Sequence, residues 1–345
     1  MPFTVHDSPA AFERLRPQWN ALVRAGRFDN LFMTWEWQTT WWHHLGTGDL
    51  YILEVRDDGD LVGIVPLYLE PSPHGRCLNL VGCVEVSDYL DVIAPDGAEE
   101  AVLQAFVDFL TSADAPPWDV VDLCNLPEVS RAHQVLPALA ARQGLHVHRM
   151  REDVSPVILL PETWDAYLAM LSKKDRHELR RKLRRLHREA PFRWGRVASP
   201  EDLPTAMDTF LALHRASSPA KHAFMDAQTA GFFRAVAEVL LREGRLWLSL
   251  LEVEGKPAAG LLCFDYADRI WVYNSGFDPR YERVSPGVAA VAFAIRDAIE
   301  AGRAVFDFLQ GAEEYKYQFG AQDTEIIRLL LRRESASLED QGENA

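Results

Sequence analysis

Several large protein classes are excluded by what this sequence has little of. Cysteine is scarce: the 345 residues hold four, Cys77, Cys83, Cys124 and Cys263, with no Cys-x-x-Cys pair and no histidine at zinc spacing, so no metal site is signalled. The opening MPFTVHDSPA has no basic-then-apolar signal, and a reduced, cytoplasmic setting is expected. Long apolar runs are missing as well. Near the end the longest is VAAVAFAI, far short of the roughly 18 to 20 residues of a membrane helix, so no transmembrane segment is expected. Positive charge is in the minority, 36 Lys and Arg against 51 Asp and Glu, and the formal charge of −15 argues against a DNA-binding surface.

What remains is an ordinary globular composition, 48% hydrophobic, long enough for two domain-sized cores. Helix starts are punctuated by Ser8-Pro9, Ser199-Pro200 and Ser285-Pro286, and Asp226 opens a further helix that Gly244 closes. Two β-rich runs, from Tyr51 and from Leu246, read as hairpins about Asp58-Gly59 and Glu254-Gly255. Each is followed by a further strand, a loop, an apolar helix and a short strand. Asp122 and Asp307 hold similar places in those last strands. The order predicts two copies of one β-β-β-α-β unit, an α/β fold built twice.

The two copies differ where the last helix begins. The first offers APDGAEE, whose Asp96, Glu99 and Glu100 would satisfy the helix dipole themselves. The second offers RYERVSPG, with Arg280 and Arg283 beside it, Ser285 able to cap or bond, and Gly287 leaving the backbone open, so that a pyrophosphate could dock there. A plain helix start would explain the same residues. Tyr273, Asn274 and Ser275 interrupt the apolar strand just before it, as expected where a strand edge opens toward a ligand.

A second cluster follows at FDFLQGAEEYKYQFG. Asp307 stands between two phenylalanines, where an isolated carboxylate costs on the order of several kcal/mol unless it is paired. Glu313, Glu314, Tyr315 and Lys316 come after it. Glu314 or Asp307 is the expected base or amine-orienting group, Tyr315 the acid, and Lys316 the charge that steadies a carbonyl oxygen. Local pairing of Asp307 and a solvated EEYKYQF turn are the alternative. His214 is expected to be a helix-end cation, and Trp35, Trp37, Trp41 and Trp42 to pack the first core. GLLCF around Cys263 has no neighbouring base and reads as packed strand.

From Lys173 to Glu189 nine Lys and Arg face three acids, a net of +6 that leaves −21 for the rest of the chain. Ser172 with Asp175 forms a capping box, and Leu179, Leu183 and Leu186 form an apolar stripe suited to packing on its own domain. The outer face is a candidate landing place for an anionic partner, such as a coenzyme phosphate, a polyanionic glycan, an acyl carrier protein or an RNA acceptor stem.

TWEWQTTWWHHLG, RHELRRKLRRL, GFDPRYERVSPG and FDFLQGAEEYKYQFG occur in the order found in GNAT-type acyltransferases of the CelD-like group. The chain resembles that group from about Leu31 to Leu330. The group is similar in turn to the Fem peptidyltransferases, which carry two GNAT-like halves. The resemblance implies two GNAT-like mixed β-sheet units with flanking helices in tandem. Residues 1–155 would be the acceptor-side half without cofactor, 156–333 the acyl-CoA-binding half, and 334–345 a disordered acidic tail. It implies acetyl-CoA or another acyl-CoA bound near Tyr273, Asn274, Ser275, Arg283, Val284, Ser285, Gly287 and Val288. Transfer to an amine of a small molecule, glycan precursor or protein would then use Asp307, Glu314, Tyr315 and Lys316. RVSPG departs from the usual GNAT pyrophosphate loop, which is richer in Gly and Arg. Fem enzymes use aminoacyl-tRNA and carry an aromatic-Lys ahead of Phe-Gly, which YKYQFG resembles, so tRNA-dependent aminoacyl transfer is the rival. A third reading is a non-catalytic binding or scaffold protein of a polysaccharide pathway.

Overall fold

The fold starts from strands β1 (Phe3–His6), β2 (Asp49–Asp57), β3 (Asp60–Ser72), β4 (Gly75–Leu80) and β5 (Val120–Pro127), seen in a computed structural model that describes residues 1–83 and 86–333. Strand β6 (His146–Leu159) then carries the chain out of the first of two compact units, and β7 (Phe192–Arg196), β8 (Leu246–Val253), β9 (Lys256–Tyr266), β10 (Arg269–Phe277) and β11 (Val305–Asp307) build the second. Strand β12 (Gln322–Arg332) returns to the first. The units comprise Met1–Asp153 with the segment from Glu325, and Val154–Thr324. The segment from Glu325, expected in the second half, groups with the first instead, because β12 lies antiparallel to β5 and pairs Ile326 with Pro127 and Leu331 with Val121. The expected acidic tail lies outside the described residues.

Both hairpins form where the turn chemistry placed them. Asp58 and Gly59 have φ of 47° and 92°, and Glu254 and Gly255 have 53° and 72°, so both turns carry two left-handed residues whose twist matches that of the flanking strands. Within the first unit the strand order is β1-β2-β3-β4-β5-β12; within the second it is β6-β11-β10-β9-β8-β7. Each unit holds one parallel pair, β4 with β5 and β10 with β11, bridged by the helices Glu99–Thr111 and Pro286–Glu300. The predicted repeat is therefore present.

Helix starts are less literal than their Ser-Pro signals. Helices begin at Ala10, Leu203 and Pro286, and Ser285 makes no side-chain capping bond. Asp226 does cap its helix, accepting from the Thr229 N–H at 2.8 Å. The box at Ser172 closes as expected: its hydroxyl accepts from the Asp175 N–H at 3.1 Å and donates to that carboxylate at 2.5 Å. Helix Lys173–Glu189 then buries Leu179 and Leu186 in the second unit's core, each contributing about 1.5–3 kcal/mol, and Leu183 packs at its edge. In the first unit Trp37 and Trp41 are fully buried, as core packing required.

The four cysteines divide into one bonded pair and two free thiols. Cys83 and Cys124 form a disulfide across 41 residues of sequence, brought together by the β4/β5 pairing, while Cys77 and Cys263 are free and buried.

Candidate functional site

In the second unit two parallel strands part company. Strands β10 and β11 pair only over Arg269–Trp271 and Val305–Asp307, yet β10 runs on to Phe277. The β9/β10 register shifts between Val272 and Asn274, leaving Tyr273 as the extra residue of a bulge. The chain after β11 turns aside through Leu309 and Gly311, with φ of 60° and 106°. The strands thus diverge at their carboxyl ends and leave an opening in the β10/β11 pairing, at the end of a sheet where ligands collect.

The β10 side of this opening is covered by side chains of the helices Leu203–Ser217 and Pro219–Phe224. Lys221 Nζ donates to the Ser275 carbonyl at 2.6 Å and lies 3.2 Å from its hydroxyl, and the Phe277 N–H donates to Ser217 Oγ at 2.8 Å. The first helix crosses so closely that a Cβ on Gly276 would lie 2.3 Å from the His214 nitrogen, a clash of backbone with side chain that glycine avoids. His214 Nε2 is 2.9 Å from Asn274 Oδ1, and only 1% of the residue is exposed. Burial, and then the Lys221 charge, push its pKa down to about 4. The helix-end cation expected of His214 is thus corrected to a neutral buried ring.

On the β11 side, Asp307 is completely buried and faces Arg269, whose Nη1 is 2.6 Å away, while its other oxygen accepts the Leu309 N–H at 2.8 Å. Lys316 is 2% exposed, and its ammonium donates to the carbonyls of Leu309 (3.1 Å), Gln310 (2.7 Å) and Gly311 (2.8 Å), with Glu313 at 2.8 Å. The two residues clamp one loop from opposite ends. Glu314 is exposed, and among the described residues no ion pair or hydrogen bond engages its carboxylate. Tyr315 packs edge-on against Phe308, and burial, followed by Glu313 and Cys263, pushes its phenol well above the usual range.

The loop after β10 reaches helix Pro286–Glu300 through Ser285, which is left-handed at φ 52°. No acidic residue stands in that helix's first turn. Gly287 is open: a Cβ there would only touch the Phe277 ring at 3.5 Å. Val288 lines a cleft with Asp175, Leu179, Lys182, Gln318 and Phe319, joining the basic helix to the end of YKYQFG. In the first unit the corresponding helix is filled by its own acids: Glu99 accepts from the Gly97 N–H at 2.6 Å, and Arg27 pairs with Asp96 at 2.5 Å and Glu99 at 3.1 Å.

The family model described as an acetyltransferase (GNAT) domain matches residues 173–317, within the second unit. The crystal structure of FemX aligns over 95% of this chain and 97% of its own at 12% identity with a TM-score of 0.65. The chain has a tandem GNAT, Fem-like fold. A conserved protein of unknown function from Bacteroides thetaiotaomicron aligns over 96% of this chain and 100% of its own, at 14% identity and a TM-score of 0.61. L-PGS from Bacillus licheniformis follows over 96% and 94%, at 13% and 0.55. No curated protein matches.

Within this GNAT unit the expected residues scatter. Asn274 and Ser275 border the opening, but their side chains are engaged by His214 and Lys221. Tyr273 is buried against Phe233 and Phe264, and Val284 is buried in the core, so neither side chain faces the opening as expected. Arg283 is held 2.6 Å from Glu189, and Arg280 is tied to Asp278, which draws both from the helix start they were expected to serve. Asp307 is paired with Arg269, and the Lys316 ammonium already meets the carbonyls of Leu309, Gln310 and Gly311. Glu314, Tyr315, Ser285, Gly287 and Val288 remain accessible candidates. Lys221 and Ser217 went unremarked in the sequence; a lone Lys in SSPAKHAFM looks like any solvated cation.

Proposed function

We propose that the second unit is an acyltransferase, moving an acyl group, acetyl from acetyl-CoA first among them, to an amine of a small molecule, glycan precursor or protein. The carrying observation is the start of helix Pro286–Glu300: beside an opening between parallel strands it presents N–H groups that no first-turn carboxylate neutralises. A donor diphosphate would sit on Gly287 and Val288, its thioester in the opening beyond Asp307. The amine attacks directly; Glu314 orients it and takes up its proton, and Tyr315, held protonated, stays a hydrogen-bond donor. The first unit would serve the acceptor, in a cytoplasmic setting.

Calorimetry with acetyl-CoA and CoA tests this. Wild type is expected to bind both, and Gly287→Glu, which places a carboxylate at the helix start without steric conflict, is expected to weaken binding at least about tenfold, or roughly 1.4 kcal/mol. No heat from wild type, or unchanged heat from the variant, would remove the site from this helix.

A second reading, Fem-like aminoacyl transfer from tRNA, is favoured by one observation. The acids of helix Lys173–Glu189 are used internally, Asp175 by Ser172, Glu178 by Arg181 and Glu189 by Arg283. Lys173, Lys174, Arg180 and Arg184 are exposed and, among the described residues, make no ion pair. Donor binding that collapses with salt, with no response to CoA, would select this reading.

A further inference from the structure

Two lysines flank the same opening, and a count of their hydrogens separates them. An ammonium has three donors. Lys316 gives all three to the carbonyls of Leu309, Gln310 and Gly311, inside a loop where it is almost wholly buried. Lys221 gives two at most, both to Ser275, and is only partly buried. Among the described residues, one of its N–H groups has no acceptor.

The direction of that group follows from the strand. Backbone groups of successive strand residues point to opposite edges. The Asp278 N–H donates to Ala258, toward β9, so the groups of Ser275 and Phe277 point to the other edge, the one β11 abandons after Asp307. On that edge the Phe277 N–H meets Ser217 and the Ser275 carbonyl meets Lys221. Lys221 therefore stands in the gap between the parted strands. The negative charge of Glu313, in the segment after β11, opposes the lowering that burial imposes on the ammonium. His214, the other titratable group against this edge, is neutral and adds no competing charge.

We propose that Lys221, and not Lys316, donates to the carbonyl oxygen of the acyl donor in this opening, an inference that rests on the acyl-transfer reading above. The amine nitrogen bonds to the carbonyl carbon, and the C=O pair moves to oxygen, where the Lys221 N–H meets the growing charge. The pair then returns as the carbon–sulfur bond breaks. The thiolate departs with the electrons of that bond and receives the proton shed by the amine through Glu314. Lys221 keeps its own proton throughout. Lys316 is a positioning residue that holds the loop bearing Glu313 and Glu314.

The test uses acetyl-CoA labelled with carbon-13 at the carbonyl, bound to wild type, Lys221→Met, Lys221→Arg and Lys316→Met, with calorimetry for affinity and circular dichroism for folding. Hydroxylamine serves as the amine for turnover. Donation polarises the carbonyl, so wild type is expected to shift its resonance downfield of the free value. Lys221→Met should lose that shift and about 100-fold in turnover while still binding coenzyme, and Lys221→Arg should keep part of both. If Lys221→Met keeps the shift, or a folded Lys316→Met is the variant that loses it, the assignment is overturned. Should Lys221→Met not fold, a Lys221→Arg protein with neither the shift nor a loss of turnover overturns it equally. A wild type that binds no acetyl-CoA overturns both this and the acyl-CoA reading, whereas binding without Lys221 dependence overturns this alone.

Discussion

The first unit's run β2-β3-β4, helix Glu99–Thr111 and β5 is matched in the second by β8-β9-β10, helix Pro286–Glu300 and β11. The parallel pairs coincide to the residue: the third pair is Asn79 with Asp122 in one and Trp271 with Asp307 in the other. Beyond that pair the units diverge. In the first, the Cys83–Cys124 disulfide spans the space past the paired strands, and Asp96 and Glu99 occupy the helix start with Arg27. In the second the strands separate, Lys221 enters the gap, and the helix start carries no acid. One backbone plan thus supports a closed and an open version, and the chemistry lies in the loops.

The buried aspartates give the strongest way to break this comparison. Asp307 has no exposed surface, and Arg269 beside it is only 20% exposed. Asp307→Asn leaves that guanidinium without its charge partner and should cost about 3–5 kcal/mol. Asp122 meets Arg328, which is 37% exposed and also lies 3.5 Å from Glu152, so the guanidinium keeps water and a second carboxylate and Asp122→Asn should cost less, about 1–3 kcal/mol. Urea unfolding of both variants measures this. Equal losses would mean that the two aspartates are interchangeable and that the second unit's loop does not depend on its ion pair.

A smaller difference concerns pH, where the units should move in opposite directions. His214, ordinarily near 6.5, is lowered to about 4 in the folded second unit, so between those values the unfolded chain binds more protons. Stability from this group is complete above about pH 6.5 and is lost as pH falls toward 4, a change of a few kcal/mol. Asp91, in the first unit, is pushed by burial from 3.8 up to about 7, so there the folded form binds more protons and acidification from 7 toward 4 stabilises. Hydrogen exchange at pH 7 and 5 should show protection falling in the second unit relative to the first. His214→Gln should flatten the second unit's response; an unchanged profile would deny the ring its role.

How much of this could be read from the chain follows from how local each cause is. The hairpins at Asp58-Gly59 and Glu254-Gly255 and the Ser172–Asp175 box depend on residues within three positions, and they formed as expected. The contrast between APDGAEE and RVSPG was equally local and holds in the structure. Strand β12, the disulfide and the Lys221 contact depend on pairings 41 to more than 190 residues apart, for which spacing gives no signal. The contacts of Lys316 were not legible either, because residue type announces a charge but not where its hydrogens go; three carbonyls of a left-handed turn meet them.

The smallest effect sharpens the comparison at one residue. Before its helix the first unit uses Gly97 at φ 92°, where glycine is unstrained; the second uses Ser285 at φ 52°, where a side chain costs roughly 1–2 kcal/mol. Ser285 recovers none of this by capping, since its hydroxyl makes no bond to the helix. Ser285→Gly should therefore stabilise the protein by up to about 1 kcal/mol after the added freedom of the unfolded chain, a rise in Tm of roughly 2 °C, and Gly97→Ser should lower it similarly. The informative result is the affinity measured alongside. If the hydroxyl contacts the donor's diphosphate, Ser285→Gly will be more stable yet bind acetyl-CoA several-fold more weakly, because strain is retained where a ligand uses it. A variant that gains stability and binds as tightly as wild type would show the left-handed serine to be an accident of the turn, and would leave the backbone N–H groups of Gly287 and Val288 to hold the donor by themselves.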